Sequence, residues 1–166
     1  IFAYDGIRYI EINSAGFASM TMEPGMAFWI ISVYNNTIQL DGALAPQDTY
    51  YEKTLRSGWN LFALPWPATN IDLGKIAVTD GTDTYWLTSS ANSLTLPYVW
   101  GFDRDYILLE DAGEVVEAKK GFWIKVVAGA SVTVKILIPP DNNGGHFPVQ
   151  PSGTTDTANP AGTYFE

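Results

Sequence analysis

Apolar side chains fall in short runs along this chain, and two of those runs are nearly the same text. Phe28-Trp29-Ile30-Ile31-Ser32-Val33 returns as Phe122-Trp123-Ile124-Lys125-Val126-Val127, and an offset of 94 carries Trp29 onto Trp123. The same offset lays residues 34–40 on 128–134, so each copy reads as a strand, a tight turn and a second strand. Upstream, Ile1-Phe2-Ala3-Tyr4-Asp5 matches Val99-Trp100-Gly101-Phe102-Asp103 at an offset of 98, and Tyr9-Ile10 answers Tyr106-Ile107. Gly25 stands ahead of the first copy where Gly121 opens the second. The pattern is that of a duplicated pleated unit.

The remaining runs fit the same fold class. Strands are expected near 1–4, 9–12, 28–34 and 37–40, with Asp5-Gly6 and Asn35-Asn36 supplying residues that tolerate the positive φ of short hairpin loops. Over 131–138, Val132, Val134, Ile136 and Ile138 alternate with Ser131, Thr133, Lys135 and Leu137, a period of two that marks one buried face. Tyr50 to Leu55 leads into Gly58-Trp59-Asn60-Leu61-Phe62-Ala63-Leu64-Pro65, a buried strand halted by Pro65 and Pro67, which bring no N–H to a ladder. Lys75 to Thr79, the Asp80-Gly81 turn and Thr84 to Leu87 form a hairpin. The run from Gly113 to Lys120 is the best candidate for a helix, around Val115, Val116 and Ala118. Periodicity stops after Pro139.

Composition narrows the function. Hydrophobic residues make up 46% of 166, enough for the core of one domain or two small ones. With 18 acidic against 9 basic side chains the net charge is -9, which repels phosphate backbones and anionic lipid, so nucleic acid is not an expected partner. The absence of cysteine excludes a disulfide framework, a thiolate metal site and a cysteine nucleophile. No run reaches the roughly 18 apolar residues of a membrane helix, and no membrane insertion is expected. A chain that opens on Ile1 reads as processed or truncated.

From Leu55 to Ile138 four motifs follow in order: Gly58-Trp59-Asn60-Leu61 through Leu64-Pro65, the Asp80-Gly81 hairpin, Trp100-Gly101-Phe102-Asp103, and Gly121-Phe122-Trp123-Ile124-Lys125-Val126. The series resembles a β-rich repeat of secreted and cell-surface proteins of bacteria and archaea, found beside adhesion, carbohydrate-associated or peptidase domains. The resemblance covers about half the chain, transfers no activity or site, and implies an extracellular or cell-surface setting. Two departures stand out: Arg104 replaces the usual Gly after Asp103, and Ile31 takes the place of the Lys that Lys125 preserves. The first copy also lacks a Gly-Trp-Asn-Leu strand. An exposed sheet edge is normally covered or completed, and the tail around Phe147, Val149, Tyr164 and Phe165 is the candidate strand donor, within the chain or to a neighbouring subunit.

Candidate chemistry is sparse. His146 is the only histidine and has no nucleophile motif beside it. Glu110, Asp111, Glu114 and Glu117 cluster in sequence, a pattern met more often on a solvated face than in acid–base catalysis. Asp80-Gly81-Thr82-Asp83, Asp103-Arg104-Asp105 and Asp141-Asn142-Asn143 offer calcium hard oxygen ligands, but none forms the twelve-residue loop, and a turn is the preferred meaning. No other cofactor is expected, since phosphate loops and dinucleotide fingerprints are lacking. Among six Trp, Trp66 and Trp86 have no counterpart in the other copy and are the candidates for stacking on a ligand, with packing the rival reading for both. Asn35-Asn36-Thr37 is a glycosylation acceptor that also reads as a turn.

The expectation is therefore an all-β chain of two related antiparallel, sandwich-like modules. Residues 1–45 form a partial repeat lacking its N-terminal strand, 46–138 a complete one, and 139–166 a linker or extended tail. The function expected is non-catalytic: a structural or adhesive module of a secreted, surface or filament-forming protein, partnered by its own copies or other surface proteins. The alternatives are a carbohydrate-binding module using exposed aromatics on a polysaccharide, or an accessory domain of a secreted hydrolase.

Overall fold

Strands and tight turns account for nearly all the regular structure. The computed structural model describes residues 1–4, 7–12, 21–30, 45–143 and 151–152. In chain order the strands are β1 (Phe2–Tyr4), β2 (Tyr9–Glu11), β3 (Tyr51–Leu55), β4 (Gly58–Ala63), β5 (Ile71–Asp72), β6 (Ala77–Thr79), β7 (Thr84–Trp86), β8 (Val99–Asp103), β9 (Asp105–Leu109), β10 (Val115–Val116), β11 (Gly121–Val126) and β12 (Val134–Ile138). One 3-10 turn, Leu73–Lys75, separates β5 from β6. The protein is all-β, and its sheets are antiparallel.

Two four-stranded sheets, β4-β11-β8-β9 and β3-β12-β6-β7, meet face to face. Alternation decides which residues meet. Phe62, Val99, Phe122 and Ile124 project from the first sheet, and Leu55, Val78, Ile136 and Ile138 from the second, into one buried cluster. Phe62 and Phe122 sit on paired strands with ring centroids 5.9 Å apart.

Two strand-to-strand connections are corners rather than hairpins. β3 and β4 follow each other in sequence but lie in different sheets, as do β11 and β12. The tight turn expected after Trp123 is present, with Val132 N–H donating to Gly129 O at 2.8 Å, but the strands it links lie in different sheets, and the crossing is held by the Val127 and Ala128 N–H groups donating to Leu94 O. At the first corner Gly58 takes φ 84°, a left-handed conformation that favours glycine. The Asn60 side chain then clamps the turn. Its Oδ1 accepts from Arg56 N at 2.8 Å, and its Nδ2 donates to Arg56 O at 2.7 Å and Gly58 O at 3.0 Å. Asn60→Ala removes all three bonds and is expected to cost about 1–3 kcal/mol, measurable by urea denaturation.

Other expectations need correcting. Gly113 to Lys120 is not helical: it holds β10, which pairs with β5, and Lys119 has φ 67°, a value no helix contains. The Glu114 carboxylate accepts from the backbone N–H of Glu110 and Asp111, at 2.6 and 2.9 Å, and folds this stretch into a turn. In β12 the alternation holds for Val134, Ile136 and Ile138, but Leu137 is buried too, against Ala77 with Tyr50 and Trp86 alongside. Val132 lies outside the strand and is exposed. The 37–40 strand, the Asn35-Asn36-Thr37 turn and His146 lie outside the described residues.

Two of the oxygen-rich turns, at Asp80 and Asp141, serve their own backbone. Asp80 Oδ1 accepts from the N–H groups of Thr82 and Asp83, both at 2.8 Å, and Gly81 takes φ 93°. These bonds, Asp83 first, hold the Asp80 pKa below its ordinary value. A carboxyl whose folded pKa is depressed stabilises the fold above its unfolded value and loses that contribution as pH falls through the folded one. Asp80→Ala is thus expected to flatten the acid limb of a melting-temperature profile while lowering the neutral plateau.

Asp141 accepts from Asn143, and Asn142 Oδ1 from Asp72 N. Asp103 and Asp105 face each other across the β8–β9 turn, where Arg104 takes φ 69°. That position is the one where the resembled repeat carries Gly, and a left-handed L-residue is disfavoured by roughly 1–2 kcal/mol. Arg104→Gly is expected to stabilise the protein by about 0.5–1 kcal/mol after the entropy cost of glycine, read as a rise in melting temperature.

Candidate functional site: an aromatic joint between the repeats

In β11 the inner face is filled by Phe122, Ile124 and Val126, so Trp123 and Lys125 point to the other side of the sheet. Pairing extends that outer face: Trp123 lies opposite Leu61 and Trp100, and Lys125 opposite Trp59. Farther along, Phe102 and Tyr106 are partners on β8 and β9. The outer face of an antiparallel sheet is ordinarily polar. Here it is aromatic, and the first repeat lies on it.

The two repeats engage reciprocally. Phe2 bridges Trp29 in antiparallel fashion as Trp100 pairs with Trp123, and Tyr4 pairs with Tyr9 as Phe102 pairs with Tyr106. Tyr4 of the first repeat meets Trp123 of the second edge-on, centroids 4.8 Å apart at 81°. Its counterpart Phe102 meets Trp29 at 4.8 Å and 79°. Two self-equivalent contacts mark the axis: the Tyr106 phenol borders the Tyr9 phenol, and Ala27 Cβ stands 3.2 Å from where a Cβ on Gly121 would be. When residue i meets j and the copy of j meets the copy of i, the contact is isologous. The repeats form an internal pseudo-dimer.

That equivalence replaces one sequence expectation. Ala27, two residues before Trp29, is the counterpart of Gly121. Gly25 is there for its own reason: φ 74° and a Tyr51 ring 2.7 Å from any added Cβ.

The joint is incompletely filled. A cavity of about 430 Å³ is lined by Tyr4, Tyr9, Trp59, Trp100, Tyr106 and Trp123. Its mate by the pseudo-two-fold, about 390 Å³, is lined by Phe2, Tyr9, Trp29, Phe102 and Tyr106. Every residue of the first has a counterpart in the second except Trp59, which sits on β4. Tyr9 and Tyr106 line both and are 46% and 57% exposed, so the two cavities meet at a pair of partly exposed rings. Partial burial and the neighbouring Tyr106 phenol raise the Tyr9 pKa. The Trp29 indole N–H comes near enough to Tyr9 to oppose that rise but makes no hydrogen bond of good geometry. The indole nitrogens of Trp29 and Trp123 are both buried without a hydrogen-bond partner, one more property the copies share.

A third cavity, about 290 Å³, adjoins across Tyr4 and Trp59 and has a different lining, including Glu23, Lys53, Arg56 and Asn60. Lys53 Nζ donates to Gly25 O at 3.2 Å, and burial lowers its pKa while Glu23 works against that. Lys125 Nζ stands 5.6 Å over the Trp59 ring.

The residues expected to stack on a ligand are elsewhere. Trp66 is 1% exposed, and its Nε1 donates to Pro46 O at 3.1 Å and Ala45 O at 3.3 Å; it is a core residue with no face to offer. Trp86 is partly buried on the Ala77–Leu137 cluster. Phe147, Val149, Tyr164 and Phe165 lie outside the described residues. Within the described part of the tail, Ser152 makes a parallel bridge to Tyr85 of β7. Of the acidic run, Glu114 is spent on its turn and Glu117 pairs with Lys120 at 2.8 Å. Among the described residues no three acids or histidines gather as a metal site would require, and no helix is long and apolar enough to cross a membrane.

Sequence reasoning missed Tyr4, Tyr9, Trp59 and Tyr106 as site residues. The available signal was the filled inner face of β11, which leaves Trp123 and its cross-strand neighbours no place but the outside. Comparison with known proteins found no matching family model, curated protein or solved structure.

Proposed function

We propose that this chain is a non-catalytic structural or adhesive module of a secreted, cell-surface or filament-forming protein. The observation that carries the reading is the reciprocal aromatic joint: many of the largest side chains outside the core couple one copy of a unit to another. A surface that pairs related units within a chain is suited to pairing units between chains. Asp80 and Glu114, engaged in turns, and Glu117, paired with Lys120, are consistent with the reading. The extracellular setting rests on the ordered motifs from Gly58 to Val126.

Assembly by strand sharing is part of the proposal. Among the described residues no counterpart of β4 flanks Trp29, and we assign that place to a strand from the tail or from a neighbouring subunit. Multi-angle light scattering and negative-stain microscopy test it: the reading expects large assemblies that shrink when residues 145–166 are deleted. A monomer at all concentrations, unchanged by the deletion, would leave the accessory-domain alternative in possession.

A further inference from the structure

The three cavities are linked in series by shared lining residues, Tyr9 and Tyr106 at one junction and Tyr4 and Trp59 at the other, and, taken together as one groove, they change in chemistry from end to end. From Phe2 and Trp29 it passes over Tyr9 and Tyr106, along Trp59 and Trp100, and ends beside Lys53 and Arg56. The aromatic part is doubled by the pseudo-two-fold. The cationic end is not, because Lys53, Arg56 and Trp59 belong to the β3–β4 corner that the first repeat lacks among the described residues. In a chain of net charge -9, three of its 9 basic residues, Lys53, Arg56 and Lys125, stand along this groove, and Glu23 is the acid lining the same end.

The geometry points to an extended acidic saccharide as the ligand of this groove, its sugar rings lying on the aromatic side chains and a ring carboxylate meeting Lys53 and Arg56. The proposal deepens the adhesive side of the function above and rests on that reading. Each part of the lining selects against another class. Pyranose rings present flat C–H faces to aromatic rings and hydroxyls to phenols, and Tyr9 and Tyr106 hold their phenols at the exposed middle of the groove. A quaternary ammonium would want an enclosed aromatic cage without a resident cation, whereas Lys125 already stands over Trp59. A neutral glycan would bring no charge to the half-buried Lys53 ammonium, whose cavity has Glu23 as the one carboxylate among its described lining residues. A carboxylate on the sugar supplies the charge-assisted bond. Length follows from the shared lining residues: a ligand must be a chain to reach from Trp29 to Arg56.

The test uses the full chain and a short oligogalacturonate, with a cello-oligosaccharide of equal length as neutral control, followed by tryptophan fluorescence and calorimetric titration. Expected results are binding of the acidic probe with a change in emission, weakening as salt rises, and cello-oligosaccharide binding at least about tenfold weaker, the size of one charge-assisted contact. Tyr106→Ala removes a ring 57% exposed, so the melting temperature should hold while affinity falls about tenfold. Arg56→Gln should weaken the acidic probe by a similar factor and leave the neutral one alone. No binding of either saccharide overturns the proposal. So does equal binding of both, or acidic binding indifferent to Tyr106→Ala and Arg56→Gln. Light scattering of the saccharide-free protein reports separately on the structural reading, so loss of the ligand and loss of assembly are distinguishable.

Discussion

Replacing Trp123 by alanine is expected to cost about 3–5 kcal/mol, the range for deleting a large buried aromatic. The same change at Trp29 should cost less. Trp123 is 9% exposed and occupies a strand paired on both sides, by β4 and β8. Among the described residues Trp29 has one bridge, to Phe2, and it is only partly buried. The two losses should not add. Each substitution opens the same joint from one side, and an edge-on aromatic pair contributes about 0.5–1.5 kcal/mol beyond its buried area. Once one pair is gone, the other is held by a loosened interface. Denaturant titration of both single variants and the double variant measures the coupling. Full additivity would sink the reciprocal joint, because it would mean that Trp29 and Trp123 act in unconnected places.

Much of this fold is legible in the pattern of the chain, and the residues show why. The offsets that align Phe2 with Trp100 and Trp29 with Trp123 are realised as equivalent antiparallel pairs. The net loop difference is absorbed outside those pairs. Alternation likewise places Val134, Ile136 and Ile138 inward. It does not say which sheet a strand joins. β11 to β12 looks like a hairpin in sequence, a strand, a tight turn and a strand, yet it is a corner, as is β3 to β4. The difference lies in long-range pairing, such as Ile136 with Lys53 and with Val78.

The missing helix has a local cause. Val115, Val116 and Ala118 suggested a helical face, but Glu114 spends its side chain on the Glu110 and Asp111 N–H groups and β5 captures Val115 and Val116. The joint was half legible: the duplication located its tryptophans, while its outward placement required noticing that Phe122, Ile124 and Val126 leave no inner position for Trp123.

Trp66→Ala is expected to be as damaging as Trp123→Ala, for a different reason. The Trp66 ring is among the largest side chains wholly inside the core, and its indole N–H reaches the carbonyls of Ala45 and Pro46. Those carbonyls lie just ahead of β3, and Ala45 itself is buried in the same cluster. Truncation therefore leaves a cavity, about 3–5 kcal/mol, and frees two carbonyls from their donor, about 1 kcal/mol more. Trp66→Phe separates the contributions, because it keeps most of the ring and deletes the N–H. It should recover more than half of the lost stability and leave hydrogen exchange near 45–46 faster than in the parent. A role in ligand stacking predicts the opposite pattern, with stability retained and saccharide binding lost. With the ring 1% exposed, no ligand reaches it while the sandwich is folded.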